Sequence, residues 1–167
     1  INLPRLGIKH GIVSGREEAD MDSFFAELDE LLEMVRDQLL ERFEIQCSKH
    51  IYNFPFLLGQ GVWLDSEKLK DNDRIRRVLK HGTLSIGFIG LAETLIALTG
   101  KHHGESEESQ ELGLKIITHM RDRINDIASD KNLNYSLLAT PAEGLSGKFT
   151  KKDREQFGMI KDITDKE

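Results

Sequence analysis

The stretch that most constrains this chain is Asn134-Tyr-Ser-Leu-Leu-Ala-Thr-Pro-Ala-Glu-Gly-Leu-Ser-Gly-Lys148. Its first six residues alternate, with Tyr135, Leu137 and Ala139 on one side and Asn134, Ser136 and Leu138 on the other. That period of two is the signature of a strand. The pattern stops at Thr140-Pro141. Thr is a good N-cap and Pro is favoured at the first helical position, so the spacing predicts a short helix or helical turn opening there. Glu143, three residues after Thr140, is placed to close a capping box. Gly144 and Gly147 let another group come close to the backbone. A strand that feeds a helix N-terminus aims unpaired N–H groups at one point, and such a point suits a phosphate. Thr-Pro-x-Glu also opens many helices that bind nothing, so from the residues alone both readings stay open.

Gly82-Thr-Leu-Ser-Ile-Gly-Phe-Ile-Gly-Leu-Ala-Glu93 repeats this logic. Leu84, Ile86 and Phe88 share one face of a strand, and Thr83, Ser85 and Gly87 share the other. A face of small residues serves either a buried ligand or a close backbone neighbour. Gly90 turns the chain into a helix over 91–98, and Gly100 ends it as a left-handed cap. Ile1 to Ile8 reads as a further strand, with Pro4 at an edge, a bulge or a cavity. Gly11 to Gly15 is a turn.

Asp20 or Asp22 caps a long helix whose apolar face carries Phe24, Leu28, Leu31, Leu32, Val35 and Leu39. Its acidic residues form a solvated surface. The stretch from Ile45 to Ile51 continues or restarts that helix. Asn53 to Trp63 is too rich in Gly and Pro for a regular element, yet apolar, so protein must cover it. Asp65 to Lys80 is a polar connector with a short helix. Ser106 caps another helix with Leu112, Ile116, Met120, Ile124 and Ile127 as its buried stripe. Phe149 to Ile160 reads as a charged linker ending in a strand. Strands separated by helices imply parallel pairing and an α/β class.

The 167 residues suffice for one domain with a real core. A formal charge of -6 argues against a general nucleic-acid-binding surface. Cys47 is the lone cysteine, which rules out an internal disulfide and an all-cysteine metal site. It sits in a helical stretch and reads as a small packed side chain. Adjacent His102 and His103 rarely chelate one ion together, so no metal site is assigned to them. No apolar run spans a membrane and no signal peptide is visible, giving the expectation of a cytoplasmic protein. The chain opens on Ile1 and runs out at Lys161 to Glu167 without a clear structural stop, so it reads as an excerpt.

Five stretches carry a more specific signal: Ile1-Asn-Leu-Pro-Arg-Leu-Gly, Asn53-Phe-Pro-Phe-Leu-Leu-Gly-Gln-Gly-Val-Trp, Gly82 to Glu93, Gly100-Lys-His-His-Gly-Glu and Tyr135-Ser-Leu-Leu-Ala-Thr-Pro-Ala-Glu. Together and in this order they resemble the anaerobic (class III) ribonucleoside-triphosphate reductases. The resemblance implies part of a ten-stranded α/β barrel with long helices packed outside the strands. It implies reduction of ribonucleoside triphosphates to deoxyribonucleoside triphosphates by glycyl and thiyl radical chemistry.

It also implies that the radical-bearing finger-loop cysteine precedes Ile1, and that the glycyl-radical loop and four-cysteine zinc site follow Glu167. The ATP-binding regulatory module lies further N-terminal. Residues 1–167 are then one fragment of the catalytic barrel, without catalytic residues or bound cofactors of its own. The parent is expected to use formate as reductant, ATP and deoxynucleotide effectors, and structural zinc. A radical-SAM activating enzyme and a second copy of the chain are its expected partners, with no nucleic acid and no membrane. By this resemblance Thr140, Pro141, Ala142 and Glu143 bind substrate phosphate, and Asn2, Pro4, Ser85 and Gly87 line the active site. Pro4 stands where aerobic relatives place a redox cysteine, in keeping with formate. The competing expectations are another glycyl-radical enzyme of the formate-lyase type and a self-standing nucleotide-binding or interaction module.

Overall fold

The computed structural model describes residues 1–131 and 133–165. Lys166 and Glu167, the end of the tail without a clear stop, lie outside the described residues. The elements are α1 (Leu3–His10), α2 (Met21–Cys47), α3 (Arg76–Leu79), β1 (Thr83–Phe88), α4 (Leu91–Thr99), α5 (Glu107–Lys131), β2 (Asn134–Ala139) and α6 (Glu143–Phe157). Short 3-10 turns sit at Ile12–Ser14, Ile51–Asn53 and Ser66–Lys68.

β1 and β2 pair in parallel, with Ser85 opposite Ser136 and Gly87 opposite Leu138. The connection between them runs through α4 and α5, as a parallel pair requires. One face of this sheet is covered. Ile86 and Phe88 enter the main core, with Tyr135 and Leu137 against it, and are met by Leu3 and Leu6 of α1, Phe24, Leu28 and Leu32 of α2, Leu95 of α4 and Met120 of α5. The opposite face is bare: Ser85 is exposed, Leu138 is 50% exposed, and the hydroxyls of Ser85 and Ser136 bond to each other at 2.8 Å. Parallel sheets are ordinarily buried on both faces. A second, small core of Ile51, Leu58, Ile75 and Val78 organises the irregular segment after α2, with Trp63 donating its indole N–H to the Val78 carbonyl at 2.8 Å. The apolar loop is therefore covered in part by its own surroundings, while Tyr52, Phe56, Val62 and Leu64 remain largely exposed.

The expected helix ends hold at several points. The Asp20 carboxylate accepts from the Ser23 N–H at 3.0 Å, and Ser106 caps α5 through the Ser109 N–H at 3.2 Å. Gly90 and Gly100 flank α4, both in the left-handed region at φ 76° and 82°.

Three expectations fail, each for a physical reason. Ile1 to Ile8 is not a strand. The extended part is confined to a bridge between Asn2 and Ile89, and α1 begins at Leu3. Pro4 lies in the first helical turn, where its missing N–H has no intrahelical partner to lose. Gly7 then lets α1 approach α4, since a Cβ there would stand 2.9 Å from the Thr94 carbonyl.

The second correction concerns Thr140 and Pro141, which do not open the last helix. α6 starts two residues later, behind Ala142 at φ 47°, ψ 37°, and no side chain caps it. Glu143 is its first residue, so the capping box with Thr140 does not form. Phe149 to Ile160, finally, is no linker: most of it completes α6. Leu145, Phe149, Asp153 and Phe157 recur every four residues along that helix. A carboxylate at the most buried of these positions breaks the apolar stripe and hides the helix from a reading of hydropathy.

Candidate functional site

The carboxyl ends of three parallel segments meet at one place. The backbone of Ile1 bonds to Gly87, and the Ile89 N–H donates to the Ile1 carbonyl at 3.1 Å. On the other side of β1, the Thr140 N–H donates to the Phe88 carbonyl at 3.0 Å. Beyond these ends lies a cavity of about 580 Å³. Its walls include Asn2, Pro4, Phe88, Glu93, Thr140 and Pro141, closed on the far side by Ser146, Asp153 and Thr164.

Each wall has a local cause. Gly90 carries the chain from β1 into α4 with positive φ, and a Cβ there would overlap Pro4 of α1. Pro4 is thereby pressed against the rim. Gly87 faces Thr140 so closely that a Cβ would overlap the Thr140 hydroxyl. The small residue on that strand face is a seat for a protein side chain. α6 then runs back along the opening, and its turn at Ile160–Thr164 is fixed by the Thr164 hydroxyl, which donates to the Gly158 carbonyl at 2.8 Å.

The structure thus brings Asn2, Pro4, Thr140 and Pro141 around one cavity. Ala142 and Glu143 lie just beyond it in sequence, at the start of α6. Ser85 stands lower on the bare face of the sheet, bonded to Ser136, and Gly87 lies beneath Thr140. No side chain caps α6 at Ala142, and the Leu145 and Ser146 N–H groups donate to the Ala142 carbonyl at 2.9 and 2.8 Å. Gly144 and Gly147 have open space where a side chain would stand.

Asp153 was not singled out by its sequence context. It is 2% exposed, and it ties α6 to the start of the chain. One oxygen accepts from Arg5 Nε at 2.7 Å and the other from Asn2 Nδ2 at 2.7 Å. Arg5 Nη2 adds a contact at 2.6 Å. The signal that could have found it is its place in the Leu145–Phe157 stripe: a charged residue at a core position implies a partner. Asn2 Oδ1 is buried with no hydrogen-bond partner among the described residues. Leaving such an acceptor unmatched costs about 1–3 kcal/mol.

The remaining candidates are accounted for locally. Cys47 is buried at the end of α2, and burial pushes its thiol pKa up, so it favours the neutral thiol. His102 accepts from the Gly104 N–H at 3.0 Å through Nδ1 and belongs to a tight turn with Glu105. Among the described residues no group of three or more His, Cys, Asp or Glu side chains could hold a metal ion. No helix among them is long and apolar enough to cross a membrane.

Parallel strands joined through helices, with a cavity at their carboxyl ends, define an α/β architecture. Sequence comparison narrows the class. The profile of the anaerobic ribonucleoside-triphosphate reductase family matches residues 1–167, and the chain belongs to that family. It is 28% identical to the anaerobic ribonucleoside-triphosphate reductase of Haemophilus influenzae, covering 99% of this chain and 22% of that protein. The Salmonella typhimurium enzyme of the same name is 29% identical over the same shares. That of Enterobacteria phage T4 is 29% identical over 99% of this chain and 25% of its own length. The chain therefore spans about a quarter of the length of these relatives.

Proposed function

We propose that this chain forms part of the substrate chamber of an enzyme that reduces ribonucleoside triphosphates to deoxyribonucleoside triphosphates. Residues 1–167 are one fragment of its catalytic barrel. The cavity at the strand ends receives the nucleotide. Its phosphates lie at the uncapped start of α6, around Thr140, Pro141, Ala142 and Glu143, where backbone N–H groups and the helix dipole favour negative charge. Glu143 is compatible with this only while its carboxylate points away from the phosphates or meets a cation. Asn2 and Pro4 line the sugar end. Ser85 and Gly87, on the bare face of the sheet, belong to the interior wall of a ten-stranded barrel whose other strands come from elsewhere in the polypeptide.

The reacting groups also come from elsewhere. Glycyl and thiyl radical chemistry, with formate as reductant, would be supplied by other parts of the parent polypeptide. What this chain's own residues do is bind, orient and exclude water. The parent is read as a cytoplasmic homodimer with a zinc site and ATP and deoxynucleotide effectors, activated by a radical-SAM enzyme.

The single observation that carries the reading is the meeting of Asn2, Pro4, Thr140 and Pro141 at one cavity beside an uncapped helix start, although they are up to 139 residues apart in sequence. In the full-length enzyme, Thr140→Ala is expected to raise KM for the nucleotide by about threefold to tenfold, the value of one hydrogen bond and its supporting contacts. An unchanged KM counts against the phosphate role.

A further inference from the structure

We propose that Glu93 is a substrate-binding residue whose carboxylate accepts hydrogen bonds from the sugar hydroxyls of the nucleotide. This rests on the reading of the cavity as a nucleotide site, and it gives that site a further residue and a polarity. Glu93 lies in the first turn of α4, just after the left-handed turn at Gly90. It lines the cavity and is half-buried. Its Oε2 stands 3.6 Å from where a Cβ on Gly90 would be, the point that Pro4 crowds from the other side. The carboxylate is thus at the rim beside Pro4.

Two carboxylates line this cavity, and only one is answered by the protein. Asp153 is buried and matched by Asn2 and Arg5. Glu93 makes no hydrogen bond or ion pair among the described residues. The start of a helix favours a carboxylate in its first turn, which accounts for the charge but supplies no hydrogen-bond donor. The neighbouring wall supplies none either. Among the described residues no Lys, Arg or His lines the cavity. The hydroxyl of Thr150 donates its proton to the Ser146 carbonyl at 3.0 Å, so it has only lone pairs left to offer.

Such a wall repels phosphate and calls for a ligand that brings its own O–H groups. A ribose diol has two adjacent donors, which one carboxylate can accept with its two oxygens. The nucleotide therefore enters with its sugar inward and its phosphates at the start of α6. A deoxynucleotide offers one donor fewer, so the group that holds the substrate releases the product more readily.

The test uses the full-length protein with effectors held at saturation. A ribonucleoside triphosphate is the substrate, and the 2′,3′-dideoxy analogue with the same base is a competitive inhibitor. Glu93→Gln removes the charge and keeps the shape. It should raise KM for the substrate by about tenfold to a hundredfold, the range of hydrogen bonds to a charged group. Ki for the dideoxy analogue should stay within about twofold, because that analogue has no sugar hydroxyl to lose. Glu93→Asp keeps a charge in the first turn of α4 but withdraws it by one methylene. KM should still rise by about threefold or more at unchanged Tm, whereas a carboxylate that serves only the helix start would tolerate Asp.

The proposal is overturned if folded Glu93→Gln keeps KM within about twofold of wild type, or if Glu93→Asp is indistinguishable from wild type. It is also overturned if Ki for the dideoxy analogue rises in step with KM, which would put the contact on the base or the phosphates. A structure of the wild type with the ribonucleoside triphosphate decides without any variant: a ribose oxygen about 3 Å from the Glu93 carboxylate sustains it, and a base or phosphate there sinks it. Should the wild-type enzyme fail to reduce ribonucleoside triphosphates, the functional reading falls first and takes this proposal with it.

Discussion

The two strands leave the sheet through the same unusual device and put it to different uses. β1 passes into α4 through Gly90 at φ 76°, and β2 passes into α6 through Ala142 at φ 47°; neither helix has a side-chain cap. At Gly90 the backbone is unstrained, because glycine has no Cβ, and the space beside it is filled by Pro4. At Ala142 a residue with a Cβ holds the left-handed conformation, which costs about 1–2 kcal/mol. Beyond it, Gly144 and Gly147 stand in open space. The first crossing is packed against Pro4 and lines the cavity together with Glu93. The second carries backbone strain just outside the cavity wall, with open space at its two glycines.

The sharpest way to break this contrast is Gly90→Val. It adds both the left-handed penalty and an overlap with Pro4, so a loss of about 3 kcal/mol or more is expected in chemical denaturation. Tolerance of valine there would show that the two crossings are equivalent after all. Next in size, Gly144→Ala and Gly147→Ala should each stabilise the protein by about 0.5–1 kcal/mol, since helix propensity improves and no atom stands in the way. If the bare backbone serves a ligand, the same variants should raise KM in the full-length enzyme while raising Tm; a gain in both stability and affinity would empty the site of its meaning. Ala142→Gly should stabilise by about 1 kcal/mol through relief of strain, less the entropy of an added glycine.

The smallest effect concerns α1, which seats Pro4. Burial works against the Glu27 carboxylate, but hydrogen bonds from Lys9 and His10 outweigh it and hold its pKa below the ordinary 4.5. A carboxylate depressed in the folded state adds stability above its unfolded pKa and loses it as pH falls through the folded value. Glu27→Gln should therefore lower the unfolding free energy slightly at pH 7, by about a few tenths of a kcal/mol, and leave it unchanged once pH is well below the ordinary carboxylate range. A mutant deficit that persists in acid would assign the contribution to packing.

What the residues disclosed and what they concealed follows from the range of the interactions involved. β1, β2, α2, α4 and α5 were legible because period-2 and period-3.6 patterns and Asp20, Ser106 and Gly100 are local signals. The beginning of the chain was not. Asn2 is extended for a single bridge with Ile89, and the adjoining helix is set by Pro4 meeting Gly90, 86 residues away. α6 was hidden for the same reason. Asp153 is tolerable in its core stripe only because Asn2 and Arg5 answer it, and no local window contains all three. At the site, Asn2, Pro4, Thr140 and Pro141 were named from the residues that carry the family resemblance. The helix start was misplaced by two residues because Thr140-Pro141 has cap chemistry, while Ala142, which makes the turn, has none.

The clasp between the first turn and the last helix also sets a timetable. Asn2 and Asp153 are separated by 151 positions, so the floor of the cavity cannot close until nearly all of this segment has left the ribosome. At ordinary elongation speeds that is a delay of roughly 8–30 s during which Arg5 and Asn2 lack their counter-ion and acceptor.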